Sequence, residues 1–238
     1  MKVQKFWQTD WFGIEFSSFA KLNPKKQADE VFYEKFYTEF FKKFNSYEDL
    51  PEQWKKDKNL LVDFILEKIK DCNKGLAIGC GNGYIENELT KKWGGELIAV
   101  EPSKVASKWI SQNIKINFVN GYFPDTIKSD ENFDFAYMCY VDYVFDNKSY
   151  ITLLKNVKNY PINDFLLVGV STYSPNLIQT IKYNIKKLLS IFGFFNQQLW
   201  GYLRTIDEHK NILKEAGYKN IDFGQLKNGV FWIRAKND

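Results

Sequence analysis

The chain has one histidine, three cysteines, two methionines and six prolines in 238 residues. Each shortage removes a class of function. Cys72, Cys80 and Cys139 are odd in number and widely spaced, so they make neither a disulfide framework nor a zinc-ligand spacing. With His209 as the sole histidine, histidine catalysis rests on that one residue. No apolar run is long enough to span a bilayer, and the opening MKVQKFWQTDWFG lacks the apolar core of a signal peptide. A cytoplasmic location without a membrane span is the expectation. Charge of one sign is also scarce: 33 basic residues face 29 acidic ones, for a net charge of +4. The nearest thing to a basic block, Lys182 to Lys187, reads as a solvated helix face, so no nucleic-acid partner is expected. The mild positive field suits a small anionic substrate. There is no internal repeat and no linker rich in Gly, Pro or Ser, which points to one domain over residues 1–238.

Aromatic residues are abundant, at 18% of the chain. Residues 1–24 are aromatic and irregular. Residues 27–45 read as an amphipathic helix with Val31, Phe32, Phe36, Phe40 and Phe44 at helical spacing. Pro51 opens a second helix whose apolar face is Leu60, Leu61, Phe64, Ile65 and Ile69. After Lys74, short apolar runs at 75–79, 96–101, 116–121, 133–139 and 165–171 alternate with helical stretches. Each step is long enough for a parallel crossover, and short, wholly apolar strands suit a sheet covered on both faces. The pattern predicts an α/β, doubly wound, mostly parallel sheet. A helix over 205–218 and two strand-like runs joined at Lys227–Gly229 then predict a closing antiparallel hairpin. Residues 1–50 form an N-terminal helical and aromatic cap, residues 51–238 the core, and residues 175–204 a cap insertion.

The stretch GLAIGCGNGYIENELT places Gly79, Gly81 and Gly83 between an apolar strand and a helical pattern. Such a turn aims helix N–H groups at whatever lies over the strand ends, and glycine lets a ligand approach the backbone. Glu101 closes the next strand, 18 residues past Gly83, where an acid can accept hydrogen bonds from two ribose hydroxyls. The competing reading is a tight turn with a surface Glu. A dinucleotide loop would carry its last glycine at residue 84, where this chain has Tyr84, and a Walker loop would need Gly-Lys-Ser/Thr.

With Leu76, Ala77 and Ile78 before it, this glycine pattern resembles motif I of class I S-adenosylmethionine (SAM)-dependent methyltransferases. The resemblance runs from about residue 55 to 236 in element order. FDFAYMCYVDYVFDN looks like that family's fourth-strand motif, with Asp142 and Tyr143 in the places often held by Glu-His. The resemblance implies a seven-stranded Rossmann-like sheet with an antiparallel seventh strand. It also implies SAM as cofactor and S-adenosylhomocysteine as product. Carried over residue by residue, it assigns cofactor binding to Gly79, Cys80, Gly81, Gly83, Glu101, Pro102, Asn120, Gly121 and Cys139.

Methyl transfer needs alignment of the acceptor with the sulfonium, and a hydroxyl acceptor also needs a base. Tyr140, Asp142 and Tyr143, just past the fourth strand, are the catalytic candidates; Asp142 reads equally well as a helix cap. His209 reads as a surface or helix-packing residue. Trp7, Trp11, Tyr173 and Arg204 are candidates for substrate binding. For the aromatics, packing of the cap is the alternative; for Arg204, it is a salt bridge to Asp207 or Glu208. The acidic residues show no metal-ligand cluster. CYVDYV replaces the Asn/Asp-Pro-Pro-Tyr/Phe stretch of methyltransferases acting on adenine or glutamine amides, and the paired cysteines of many cytosine-C5 enzymes are missing. The expected function is O-methylation of a small molecule, a sugar or nucleotide-linked sugar for capsule or lipopolysaccharide biosynthesis. The warrant for the sugar is the aromatic cap and a general likeness to enzymes of polysaccharide gene clusters. N-methylation of a small amine and non-catalytic SAM binding are the alternatives.

Overall fold

The computed structural model describes residues 3–173 and 196–236, together with residues 184, 185 and 188. The expectations placed on 175–195, including the Lys182–Lys187 face, lie almost wholly outside the described residues.

Five parallel strands make the central sheet: β4 (Lys74–Ile78), β5 (Glu96–Glu101), β6 (Asn117–Asn120), β7 (Phe133–Cys139) and β8 (Ile162–Val168). β10 (Asn220–Gln225) and β11 (Phe231–Lys236) complete it in the order β10-β11-β8-β7-β4-β5-β6. β11 runs antiparallel to both neighbours, so the expected terminal hairpin inserts its last strand against β8. Gly75 to Ile78 of β4 and Leu97 to Glu101 of β5 are buried, as helices on both faces require. On one face α2 (Glu52–Lys68) and α3 (Tyr84–Lys92) pack Leu61, Ile65 and Leu89 on Ala77, Ala99 and Tyr137. On the other, α5 (Asn147–Asn159) and Ile206–Glu215, named α6 here, pack Leu154 and Leu213 on Leu76, Val100 and Met138.

The cap is α1 (Glu30–Lys43), whose Phe32 and Phe36 meet Phe16 and Trp200, while Phe41 stacks on Trp109 of α4 (Lys104–Asn113). Val31 and Leu60, expected on apolar faces, are 63% and 44% exposed. Each lies one residue from a buried stripe, and one residue is a rotation of about 100° around a helix. Residues 1–24 are also less irregular than expected. β1 (Gln4–Gln8) pairs antiparallel with β9 (Gln198–Leu203), while β2 (Asp10–Trp11) and β3 (Ile14–Glu15) form a small hairpin. The fifth strand of the central sheet ends at Val168, not at residue 171, because Gly169 turns the chain at φ +69°. Among the described residues no helix is long and apolar enough to cross a membrane.

Candidate functional site

The loop after β4 carries Gly79, Gly81 and Gly83 at φ +76°, +60° and +71°. Gly81 shows why: its N–H donates to Glu101 Oε2 at 2.9 Å, and a Cβ there would stand 3.0 Å from the Tyr37 hydroxyl. An L side chain would meet both a strained backbone and a crowded neighbour. Glu101 Oε1 accepts the Ser103 N–H at 3.0 Å, so both carboxylate oxygens are pinned to backbone. Only 6% exposed, Glu101 is not a surface residue. Burial pushes its carboxyl up to about 7, while the Ser103 and Gly81 N–H groups pull the other way.

Asn120 ties this corner together. Its amide nitrogen donates to the Glu101 and Pro102 carbonyls at 2.9 and 3.0 Å and to the Ser107 hydroxyl at 2.8 Å. Gly121 N–H donates to the Glu101 carbonyl at 3.1 Å. The cap is clamped here too. Glu34 of α1 accepts the N–H groups of Lys104 (2.6 Å) and Val105 (3.1 Å), the orphan donors of the first turn of α4. Tyr47 donates to the Asn82 carbonyl at 2.8 Å. The amphipathic pattern of 27–45 held no sign that Glu34 would cap another helix.

Tyr33 and Tyr37 lie one turn apart on α1 and face Tyr143 and Glu101. Tyr143 stacks on Trp200 (centroids 6.2 Å apart) and meets Phe6 edge-on at 5.8 Å. The Tyr33 hydroxyl is buried and has no hydrogen-bond partner among the described residues. Burial pushes the Tyr143 hydroxyl up to about 12, so it stays neutral. The sequence pointed to Tyr143 and missed Tyr33, Tyr37 and Trp200. Tyrosines at i and i+4 beside a phenylalanine stripe were the available signal.

Several expected site residues do other work. Asp142 is 2% exposed and closed in: Ser171 N–H donates to Oδ2 at 3.0 Å, and His209 Nε2 lies 3.7 Å from the same oxygen. Burial raises its carboxyl to about 6. It is neither an exposed base nor the cap of α5, which Asp146 provides through the Ser149 N–H. Arg204, expected at the substrate, is 0% exposed. Its Nε donates to Asn147 Oδ1 at 2.8 Å, Nη1 to the Asp142 carbonyl at 3.2 Å and Nη2 to the Phe145 carbonyl at 2.6 Å. It therefore braces the turn that carries Tyr143 and makes no salt bridge to Asp207 or Glu208. His209 is wholly buried rather than on the surface. Burial and the Arg204 charge lower its pKa to about 3, leaving a neutral ring.

Trp7 is 5% exposed and its indole N–H donates to the Pro24 carbonyl at 2.9 Å. Trp11 stacks on Phe36 at 5.0 Å. Both are cap packing rather than substrate wall. Tyr173 is half-buried and its N–H donates to the Arg204 carbonyl at 3.2 Å. Tyr140, expected as catalytic, instead seats a cation: Lys58 Nζ lies 3.6 Å from its ring centroid. Burial pushes the Cys139 thiol up to about 12 and the Cys80 thiol well above its ordinary value, so neither is a thiolate.

A nucleoside with a free ribose fits this corner. Each Glu101 oxygen accepts one N–H and keeps lone-pair capacity for a hydroxyl. The Tyr33 hydroxyl lies by the Tyr143 hydroxyl, within electrostatic reach of Glu101. A family described as a methyltransferase domain matches residues 76–160, from the glycine strand to the end of α5. Solved structures align over most of the chain. Human N-acetylserotonin methyltransferase in complex with SAM gives a TM-score of 0.61 at 15% identity, over 88% of this chain and 56% of that one. An O-methyltransferase so described from Nostoc punctiforme gives 0.63 at 12%, over 93% and 66%. The chain has the class I SAM-dependent methyltransferase fold. A Pyrococcus horikoshii protein shares this methyltransferase fold at a TM-score of 0.61 and 14% identity, over 84% of this chain and 99% of its own. No curated protein matches the sequence. The chain spans 56% and 66% of the first two structures, so what those longer methyltransferases add lies beyond the shared fold.

Proposed function

We propose that the protein transfers a methyl group from SAM to a hydroxyl of a small acceptor. The observation that carries this reading is the buried Glu101 carboxylate, pinned at the glycine loop within electrostatic reach of the Tyr33 and Tyr143 hydroxyls. SAM, when bound, supplies an electrophilic methyl group. The protein's part is to bind, align and dry the site. Glu101 accepts from the ribose hydroxyls, while Gly79, Cys80, Gly81 and Gly83 let the nucleoside approach the backbone. Pro102, Asn120 and Gly121 shape the adenine side, with the Asn120 amide oxygen as its acceptor. Tyr33 and Tyr143 hold the acceptor hydroxyl in line, and α1 excludes water. Most of the rate comes from this alignment. Neutral Tyr143 takes a hydrogen bond from the acceptor and is not a strong base, so the hydroxyl proton is released to solvent as the methyl arrives.

For the acceptor we favour a sugar or nucleotide-linked sugar of capsule or lipopolysaccharide synthesis. Its support is an aromatic wall suited to the apolar face of a sugar ring and a net charge of +4. A flat aromatic hydroxyl compound is a second reading, favoured by the stacked Tyr143 and Trp200 rings. Calorimetry with SAM, S-adenosylhomocysteine and NAD tests the cofactor, and binding of NAD alone would overturn the reading. A methylation screen over nucleotide-sugars, phenols and amines tests the acceptor. Turnover of amines alone would replace O- with N-methylation, and SAM binding without turnover of any class would favour a non-catalytic protein.

A further inference from the structure

Two charged groups near the glycine loop form no ion pair among the described residues. Glu86, in the first turn of α3, is 2% exposed. Its Oε1 accepts the Tyr137 hydroxyl at 2.7 Å, but its buried Oε2 has no hydrogen-bond partner among the described residues. A buried carboxylate oxygen without a donor is costly, so its retention calls for a ligand. Lys58, on α2, is the second group. Its ammonium sits over the Tyr140 ring at 3.6 Å and 5.4 Å from the Trp54 ring centroid. Among the described residues no carboxylate forms an ion pair with it. The seat is built at some cost. Tyr140 is held at φ +54°, and Gly169 makes room for its ring, since a Cβ there would stand 2.5 Å from Tyr140 Cε2.

The sheet order gives these groups a direction. Glu101 ends β5, the glycine loop follows β4, and Cys139 ends β7 with Tyr140 next, in the spatial order β5-β4-β7. A ligand with its ribose on Glu101 that extends across the loop arrives between α3 and the end of β7. Glu86 and Lys58 wait there, and each also feels the Cys139 side chain. The two groups feel each other's charge but form no ion pair among the described residues, and Glu86 Oε2 is left without a donor.

We propose that Lys58 and Glu86 receive the amino-acid end of SAM, Lys58 holding its carboxylate and Glu86 its ammonium group. This inference rests on the cofactor reading above. A zwitterion presents both charges within a few bonds, which matches an unpaired anion and an unpaired cation facing one space.

The test uses two ligands that share the nucleoside and differ in the amino-acid end: S-adenosylhomocysteine has it, and 5′-methylthioadenosine does not. Calorimetry of the full chain, Lys58→Met and Glu86→Gln is expected to show at least tenfold weaker S-adenosylhomocysteine binding in each variant. Methylthioadenosine binding should stay within twofold of wild type. Glu86→Gln keeps the shape and the Tyr137 contact, and methylthioadenosine binding itself reports a folded site. Lys58→Arg should recover most of the S-adenosylhomocysteine affinity. Equal losses for both ligands, or no loss for either, would overturn the inference and leave the cofactor reading standing. A wild-type protein that binds neither ligand would overturn both.

Discussion

Two acidic residues lie at the ends of strands on either side of β4 and share most of their physical description. Glu101, closing β5, and Asp142, just past β7, are 6% and 2% exposed. Each accepts backbone N–H groups, and burial raises each carboxyl, to about 7 and about 6. They differ in what surrounds them. Glu101 faces a glycine loop within reach of Tyr33, Tyr37 and Tyr143, whereas Asp142 is shut in by Ser171, His209 and the Arg204-braced turn. The same chemistry can therefore serve a ligand or a turn, and the neighbours decide which.

The comparison is broken most forcefully by removing the brace. Arg204→Met strips the carbonyls of Asp142 and Phe145 and the Asn147 side chain of their donor, at a cost of about 3 kcal/mol or more. Thermal melts should fall by roughly 10 °C, while SAM affinity in the surviving fold stays within about threefold. A stable variant would mean that Arg204 does not brace this turn. Glu101→Ala should act the opposite way. It should weaken SAM binding about a hundredfold, close to 2.7 kcal/mol, for the loss of charge-assisted hydrogen bonds. Asp142→Asn should leave calorimetric affinity within about threefold, and a hundredfold loss there would make Asp142 part of the ligand site.

A methyl group placed on the loop gives a smaller effect. Gly81→Ala forces φ +60° on an L residue beside Tyr37, a strain of about 1–2 kcal/mol, and should cost roughly tenfold in affinity. Unchanged binding would show that the loop tolerates a Cβ. The smallest effect is the pH response of the ligand-free protein. Glu86, Glu101 and Asp142 have raised folded pKa values, so the fold holds extra protons between the ordinary carboxylate range and about 7. Their contribution to stability is full at acid pH and is lost as pH rises through that window. His209, lowered to about 3, opposes them below its ordinary pKa. Glu86→Gln should flatten the fall in stability between pH 5 and 7 by about 2 kcal/mol. An unchanged slope in denaturant titrations would show that Glu86 is not buried as a carboxylate.

Local pattern made much of this legible. The strands at 96–101 and 133–139 are seen at those residues, because short apolar runs between helical stretches have few other solutions. Gly81 and Glu101 could be paired from sequence because a fixed chain distance separates a loop from the next strand end. Residues whose roles depend on distant partners could not be read this way. Glu34, Lys58 and Glu86 look like ordinary solvent-facing charges on amphipathic helices. Only the packing of α1 on α4, and of α2 and α3 on the sheet, gives them other work. Arg204, expected at the substrate, and His209, expected on the surface or in helix packing, escape for the same reason: the Asp142–Phe145 turn that encloses them is distant in sequence. Val31 and Leu60 show the converse, since a hydrophobic count does not set helical phase.

The pairing of β1 with β9 joins Gln4 to Leu203, almost the full length of the chain. A ribosome delivers the first strand of that pair long before the second. The opening segment therefore waits, unpartnered on its β1 edge, while β4 to β8 are being made. Its Phe6 then meets Tyr143 only when Gly201 arrives opposite it. The aromatic wall of the site is thus among the last parts of the molecule to form, and nascent chains stopped before residue 198 should display that wall incomplete.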